Sequence, residues 1–187
     1  MAMKPIRLSY NAPFTLTFTV ACVVVLLLNT VTRYGASAVL FSVGDEMNLL
    51  NPLSYLRLFL HVLGHASPTH LAYNLMILLL IGPMLEEKHG WKKLTLVTAV
   101  TALATALPML VLPGTLMGAS GVVFACIILA SYTRVTTGAV PITFALVCLL
   151  FLGREIYVGF ATSDSVAQFA HILGGAIGGY FAIRWKR

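Results

Sequence analysis

Six stretches of this chain carry almost only apolar side chains over lengths close to the thickness of a lipid bilayer. They cover residues 14–31, 70–85, 94–112, 117–132, 139–152 and 169–185. A helix needs about 20 mostly apolar residues to cross the hydrocarbon core. Helices and closed barrels are the only structures that cross it with every backbone group paired. The pattern therefore predicts an all-α, polytopic membrane protein, a bundle of six transmembrane helices. Composition agrees independently: 59% of the 187 residues are hydrophobic, 10% are charged, and the mean hydropathy is +0.92. A soluble domain carries roughly 25% charged residues. So few charges cannot cover the surface of a soluble domain of this length, which leaves lipid as the second solvent.

The net charge of +6 does not indicate a nucleic-acid partner, because the basic residues form no stripe. They fall in the breaks between apolar runs. With the N-terminus in the cytoplasm and six crossings, Lys4, Arg7, Lys88, Lys92, Lys93, Arg134, Arg184, Lys186 and Arg187 lie inside, and Arg33, Arg57 and Arg154 outside. That bias satisfies the positive-inside rule and predicts both termini inside. The first run, with Lys4 and Arg7 before it and Ala36-Ser37-Ala38 after it, has some features of a signal peptide. At 18 residues it exceeds the usual apolar core of one and reads as a retained span. The segment from Arg33 to Pro68 is too interrupted to cross. It carries Asp45, Glu46, Asn48, Asn51 and Pro52, then an apolar cluster around Arg57, and reads as an interfacial or partly embedded loop. Nothing outside the runs reads as a soluble domain, so residues 1–187 form one membrane domain. Cys22, Cys126 and Cys148 each sit inside a run and read as packing residues.

Polar side chains inside spans are costly and therefore informative. In this topology the second, fourth and sixth spans run from outside to inside. His70 and Asn74 open the second, Ser120 the fourth and His171 the sixth, all within about 10 Å of depth. Each has a structural reading when taken alone. Ser120 is a small residue suited to close packing, His171 a core histidine, Asn74 interhelical glue and His70 interfacial. Their convergence favours chemistry, since a serine nucleophile needs a base within reach. Gly118 and Gly121 thin the fourth helix around Ser120. Gly174 and Gly178, or Gly175 and Gly179, give the sixth a face without side-chain bulk. His70 and Asn74, at i and i+4, share one helix face and can both donate to an oxyanion. The Ser120 backbone N–H, near a helix N-terminus, is a third donor. A metal site built on His61, His65 and His70 is disfavoured, because no carboxylate or cysteine is placed to complete the ligand set. No cofactor is expected.

These residues form three motifs in order: Gly118-Ala119-Ser120-Gly121, preceded by His70-Leu71-Ala72-Tyr73-Asn74 and followed by Ala170-His171-Ile172-Leu173-Gly174 with Gly178. Together they resemble the GxSG, HxxxN and AHxxGxxxG motifs of the rhomboid intramembrane serine proteases, and the chain is similar to their minimal six-helix bacterial form over almost its full length. The resemblance implies a Ser120–His171 dyad without an acidic third member, although Asp164 precedes the sixth span. His171 would take the Ser120 proton and later protonate the leaving amine. His70, Asn74 and the Ser120 N–H would hold the oxyanion. The substrate would be a transmembrane segment of another protein, entering laterally past residues 149–160 and cut near the outer interface of a bacterial inner membrane. The resemblance also assigns Arg57 to a partly embedded first loop and makes Glu86 a structural cap. Two departures stand out: Leu56 replaces the aromatic residue that usually precedes Arg57, and Phe124 replaces a frequent Tyr packing on the histidine. Two other readings compete. One is a non-catalytic relative that binds transmembrane clients. The other is a six-helix transporter, which predicts polar residues at several depths. Thr98, Thr101 and Thr105 are the deeper polar residues here, and each can bond its own helix.

Overall fold

The computed structural model describes residues 9–45, 47–132 and 165–185, with isolated positions between 142 and 153. The expected fifth span, Cys148, Asp164 and the expected gate of residues 149–160 fall largely or wholly outside the described residues.

The described chain is mostly helical. The principal helices are α1 (Pro13–Val31), α2 (Leu53–Leu60), α3 (Pro68–His89), α4 (Trp91–Ala106), α5 (Ser120–Tyr132) and α6 (Ser165–Arg184). Among the described residues, four helical stretches are long and apolar enough to cross a membrane: Pro13–Val31, Pro68–His89, Trp91–Leu110 and Val166–Arg184. Their outward faces are apolar too, with Val20, Leu27, Met76, Leu80 and Ile183 all at least 60% exposed. Such a surface suits a protein embedded in lipid.

The helix ends follow from local chemistry. Pro13 opens α1, but its N-cap residue Ala12 has no side-chain acceptor. Glu86, buried on α3, supplies one from a distance. Its carboxylate accepts the Phe14 N–H (2.7 Å), the Thr15 N–H (3.0 Å) and the Thr15 hydroxyl (3.0 Å). A carboxylate at a helix N-terminus satisfies orphan donors and meets the positive end of the dipole. Ser67 caps α3 by accepting the His70 N–H at 3.1 Å, and Pro68 takes the first helical position. The second span thus begins two residues before the expected 70 and runs on to His89. The third changes from α-helix to a 3-10 turn, Leu107–Leu110, where Pro108 interrupts the ladder, so it closes before the expected 112. The fourth starts at Ser120, not 117, because Gly118 holds a positive φ of 130° that no helix accommodates. The sixth starts four residues early, at Ser165.

The segment between α1 and α3 does not cross. It forms a π-helical turn (Ser37–Phe41), α2 and a 3-10 turn (His61–Leu63). Arg57 organises it from a buried position: its Nε donates to the Ser42 carbonyl (2.6 Å) and its Nη2 to the Ser42 hydroxyl (3.3 Å). Leu56, beside it, is half exposed. One feature is absent from the all-helical expectation. The short strands β1 (Val43–Gly44) and β2 (Thr115–Leu116) pair antiparallel, Val43 opposite Leu116 and Gly44 opposite Thr115. Asp45 extends the tie, both carboxylate oxygens accepting the Gly114 N–H at 2.9 and 2.8 Å. The first loop is thereby clamped to the turn that leads into α5. A small apolar cluster under this ribbon joins Val43, Leu58, Met109 and Leu116 to Ala170 of α6. The main core, around Leu78, Leu85, Leu94, Val97, Val122 and Leu129, holds the helices together and contains Cys22 and Cys126.

Among the described elements the most extensive packing is α5 on α6. A methyl group at Gly174 would lie 2.1 Å from the Gly121 carbonyl oxygen, and one at Gly178 2.2 Å from that of Ala125. Backbone touches backbone at both points, so Gly174 and Gly178 form the bare face, one of the two pairs the sequence offered. Gly179 does not share this contact: among the described residues a methyl there would meet Ile128 Cγ2 at 3.7 Å, an ordinary van der Waals distance. Gly178→Ala should therefore lower the unfolding temperature in detergent, at the about 1–3 kcal/mol cost of overpacking. Gly179→Ala should leave it unchanged or raise it through helix propensity. Thermal unfolding of the two variants checks this; a Gly178→Ala protein as stable as the parent contradicts the packing account.

Candidate functional site

The glycine contacts set the register of α5 against α6. Gly121 faces Gly174 and Ala125 faces Gly178, so the two helices run parallel. Gly121 is the second residue of α5, whereas Gly174 is the tenth of α6. At 1.5 Å per residue, α5 begins about 12 Å further along the bundle than α6. Ser120, the first residue of α5, is thus recessed alongside α6 and partly buried. His171 comes about 9 Å after the start of α6, at nearly the same level.

His171 also lies on the correct face. Residues 171, 174 and 178 form one stripe of α6 at i, i+3 and i+7. A methyl on Gly121 would come within 3.2 Å of the Ala170 carbonyl oxygen, so the backbone beside His171 abuts the residue after Ser120. Phe124, one turn along α5 from Ser120, packs on the imidazole with ring centroids 4.5 Å apart at 42°. A phenyl ring thus holds the place that a Tyr often takes, without the hydroxyl.

His70 reaches the site from α3. A methyl on Gly118 would lie 2.8 Å from His70 Cε1 and 3.1 Å from Nε2. Only glycine lets the imidazole come so close, and only glycine is comfortable at this φ. Asn74 is buried one turn below His70, and its Nδ2 donates to the His70 carbonyl at 3.1 Å. An amide nitrogen has two hydrogens, so one donor remains for another acceptor. The structure therefore gathers Gly118, Ser120, Gly121 and Phe124 with His171 and Gly174, and brings His70 against the same turn, with Asn74 one turn along α3.

His61 and His65, whose spacing suggests metal ligands, instead support the turn into α5. The His61 carbonyl accepts the Gly118 N–H at 3.0 Å. The His65 ring donates from Nδ1 to the Leu63 carbonyl (3.1 Å), which leaves Nε2 to accept the Ala119 N–H at 3.4 Å. That second bond requires a neutral imidazole. His61 pairs Nδ1 with the Arg57 carbonyl (3.2 Å) and Nε2 with the Thr105 hydroxyl (3.3 Å). The His70 ring stands edge-on to His65, centroids 5.0 Å apart. The spacing of three histidines before the serine motif was visible in the sequence. That two of them serve the backbone of that motif was not, because the contacts span some 54 residues.

Burial pushes the pKa of His61 down to about 4. Burial, reinforced by the neighbouring His70 ring, does the same for His65. The folded protein thus disfavours protonation that the unfolded chain accepts near pH 6.5. Their contribution to stability is complete above pH 6.5 and is lost as pH falls from there toward 4. At about 1.36 kcal/mol per unit, each imidazole costs about 2 kcal/mol by pH 5. The unfolding temperature in detergent should therefore be level from pH 8 to 6.5 and fall below it, with a shallower fall in His65→Asn. A profile flat to pH 5 contradicts the assignment.

Comparison with known proteins gives a consistent result. A family model described as "Rhomboid domain" matches residues 52–186. "Rhomboid protease GlpG" of Enterobacter sp. (strain 638) is 28% identical over 177 residues, covering 89% of this chain and 60% of that protein. The chain thus spans about three fifths of the length of that curated relative.

Proposed function

The chain belongs to the rhomboid family of intramembrane proteases, and from that membership we propose that it is a serine endopeptidase that cuts transmembrane segments of other membrane proteins. The observation that carries the reading is the recessed start of α5: Ser120 lies beside the α6 stripe that bears His171, with Phe124 packed on the imidazole. In this reading His171 takes the Ser120 proton as the hydroxyl attacks the scissile carbonyl. His70 Nε2–H, the second Asn74 amide hydrogen and the Ser120 backbone N–H receive the oxyanion. His171 then protonates the departing amine, and water cleaves the acyl-enzyme. The fixed backbone around Gly118 and Ala119 supports this role, because oxyanion donors act best when their orientation is set before reaction.

Further parts of the reading rest on charge and family alone. Both termini lie in the cytoplasm, the membrane is a bacterial inner membrane, and the site opens to the outer face. A substrate helix must unwind there, since its carbonyls are otherwise hydrogen-bonded. Neither Leu56 nor Phe124 removes a reacting group.

A fluorophosphonate probe tests the nucleophile directly. The parent protein should be labelled, and Ser120→Ala should not. Cleavage of a reporter transmembrane substrate should fall by roughly three orders of magnitude or more in Ser120→Ala and in His171→Ala, with the double variant no worse, because the two act as one unit. Cleavage retained by a folded Ser120→Ala protein rules out the dyad. A folded parent that takes no probe and cuts no substrate is instead a silent relative that binds clients.

A further inference from the structure

A cleft of about 550 Å³ runs between α1 and α4, away from the Ser120 site. Its walls include Phe14, Phe18 and Ala21 of α1, Trp91 and Thr95 of α4, and Leu63 of the 3-10 turn. The wall on α1 extends from Pro13 to Ala21, eight helical steps or about 12 Å. That is close to half of the roughly 30 Å hydrocarbon core, one leaflet. The lining is almost all carbon. The hydroxyl of Thr17, which also lines it, is paired with the Tyr10 hydroxyl at 2.6 Å.

The mouth at Trp91 has a lysine beside it, and Glu86 and Glu87 line an adjoining cleft that shares Pro13 and Trp91. Trp91 is 54% exposed, as an interfacial anchor would be. Lys92 holds its Nζ 5.6 Å from the Trp91 ring, which places an ammonium at the rim. Lys93 turns the other way, over Trp185 at 4.9 Å. Of the acids at this end, Glu86 is committed to the start of α1, and Glu87 is exposed on α3. An apolar slot one leaflet deep, with a lysine at its interfacial end, is complementary to an amphiphile with an anionic head.

We infer that this cleft binds an anionic phospholipid, with one acyl chain between α1 and α4 and the headgroup phosphate at Lys92. The inference rests on membrane insertion alone and is independent of the protease reading. The acyl chain packs on Leu63, the end of the turn whose first residue, His61, holds the Gly118 N–H. Lipid therefore contacts the far side of the support on which the start of α5 rests.

Trp91 and Trp185 are the two tryptophans of the chain, so Trp185→Phe leaves one reporter at the cleft. That protein is reconstituted in phosphatidylcholine vesicles containing rising fractions of bromine-labelled phosphatidylglycerol or bromine-labelled phosphatidylcholine. The labelled anionic lipid should quench Trp91 at a severalfold lower mole fraction than the labelled zwitterionic lipid. Lys92→Gln should bring the two curves together. Ala21→Phe, which fills the slot, should reduce quenching by both. Native mass spectrometry of the protein with Trp185 intact provides a second reading: retained phosphatidylglycerol should exceed phosphatidylcholine, and Lys92→Gln should abolish the excess. Coincident curves before the Lys92 change, or a preference that survives it, overturn the inference. So does a Trp91 that neither lipid quenches, which means that a helix of another chain or a second copy fills the cleft.

Discussion

Everything near Ser120 depends on one contact: the backbones of α5 and α6 touch at Gly121–Gly174 and Ala125–Gly178. No side chain intervenes, so the separation and the register of the two helices are fixed together. In lipid this is an effective way to hold helices, because apolar side chains gain little by leaving a solvent as apolar as themselves. Close approach instead brings dispersion contacts and lets carbonyl groups meet Cα–H groups. The contact also decides depth. A shift by one turn would move Ser120 about 5 Å relative to His171, more than a hydrogen bond can span.

That contact orients two helices but leaves the turn before Ser120 undefined, and a turn of glycine and alanine has little to hold it. The first loop supplies the constraint. The ribbon of Val43–Gly44 with Thr115–Leu116, the Asp45 carboxylate on Gly114, the His61 carbonyl on Gly118 and the His65 ring on Ala119 bond one end of the turn after another. Arg57 in turn fixes the loop to itself through Ser42. A segment that sequence patterning reads as an interfacial or partly embedded loop is thus the scaffold of the candidate site. Burying a guanidinium and two imidazoles is costly unless each finds partners, and here each has them.

The sequence made some of this legible and hid the rest for a physical reason. Among the described residues hydropathy located four helices of membrane-spanning length and the shorter apolar α5, because bilayer thickness acts on every span alike. The glycine spacing on α6 exposed the bare face because helical periodicity is local, although Gly174/Gly178 could not be separated from Gly175/Gly179 without knowing which side meets α5. The starts of α3 and α5 were misplaced by a few residues because Ser67, Pro68 and Gly118 act through caps and dihedrals, which hydropathy does not register. The β ribbon escaped notice because two residues per strand carry no period. The roles of His61 and His65 escaped for the same reason as any long-range bond: a carbonyl and a ring nitrogen meet backbone N–H groups that only the fold brings near. Glu86 is the intermediate case. The family resemblance implies a structural cap there, but the partner, the start of α1, lies 72 residues away.

The distribution of buried polar groups separates support from chemistry. Glu86 spends both oxygens on α1, His61 both ring nitrogens on Arg57 and Thr105, and His65 both on Leu63 and Ala119. Groups committed in this way rigidify a bundle and are unavailable to a ligand. Asn74 differs, since its bond to the His70 carbonyl leaves, among the described residues, a donor hydrogen in reserve. Asn74 lies one turn from the His70 ring that rests on Gly118, so the spare donor belongs to the same side of the bundle as the recessed serine. A transporter would distribute such uncommitted groups along a path through the membrane. In the described residues Glu86, His61, His65 and Thr105 are instead tied to a helix end, loops and backbone carbonyls, while the buried Thr19 and Thr101 hydroxyls are single unpaired atoms on separate helices and form no continuous path.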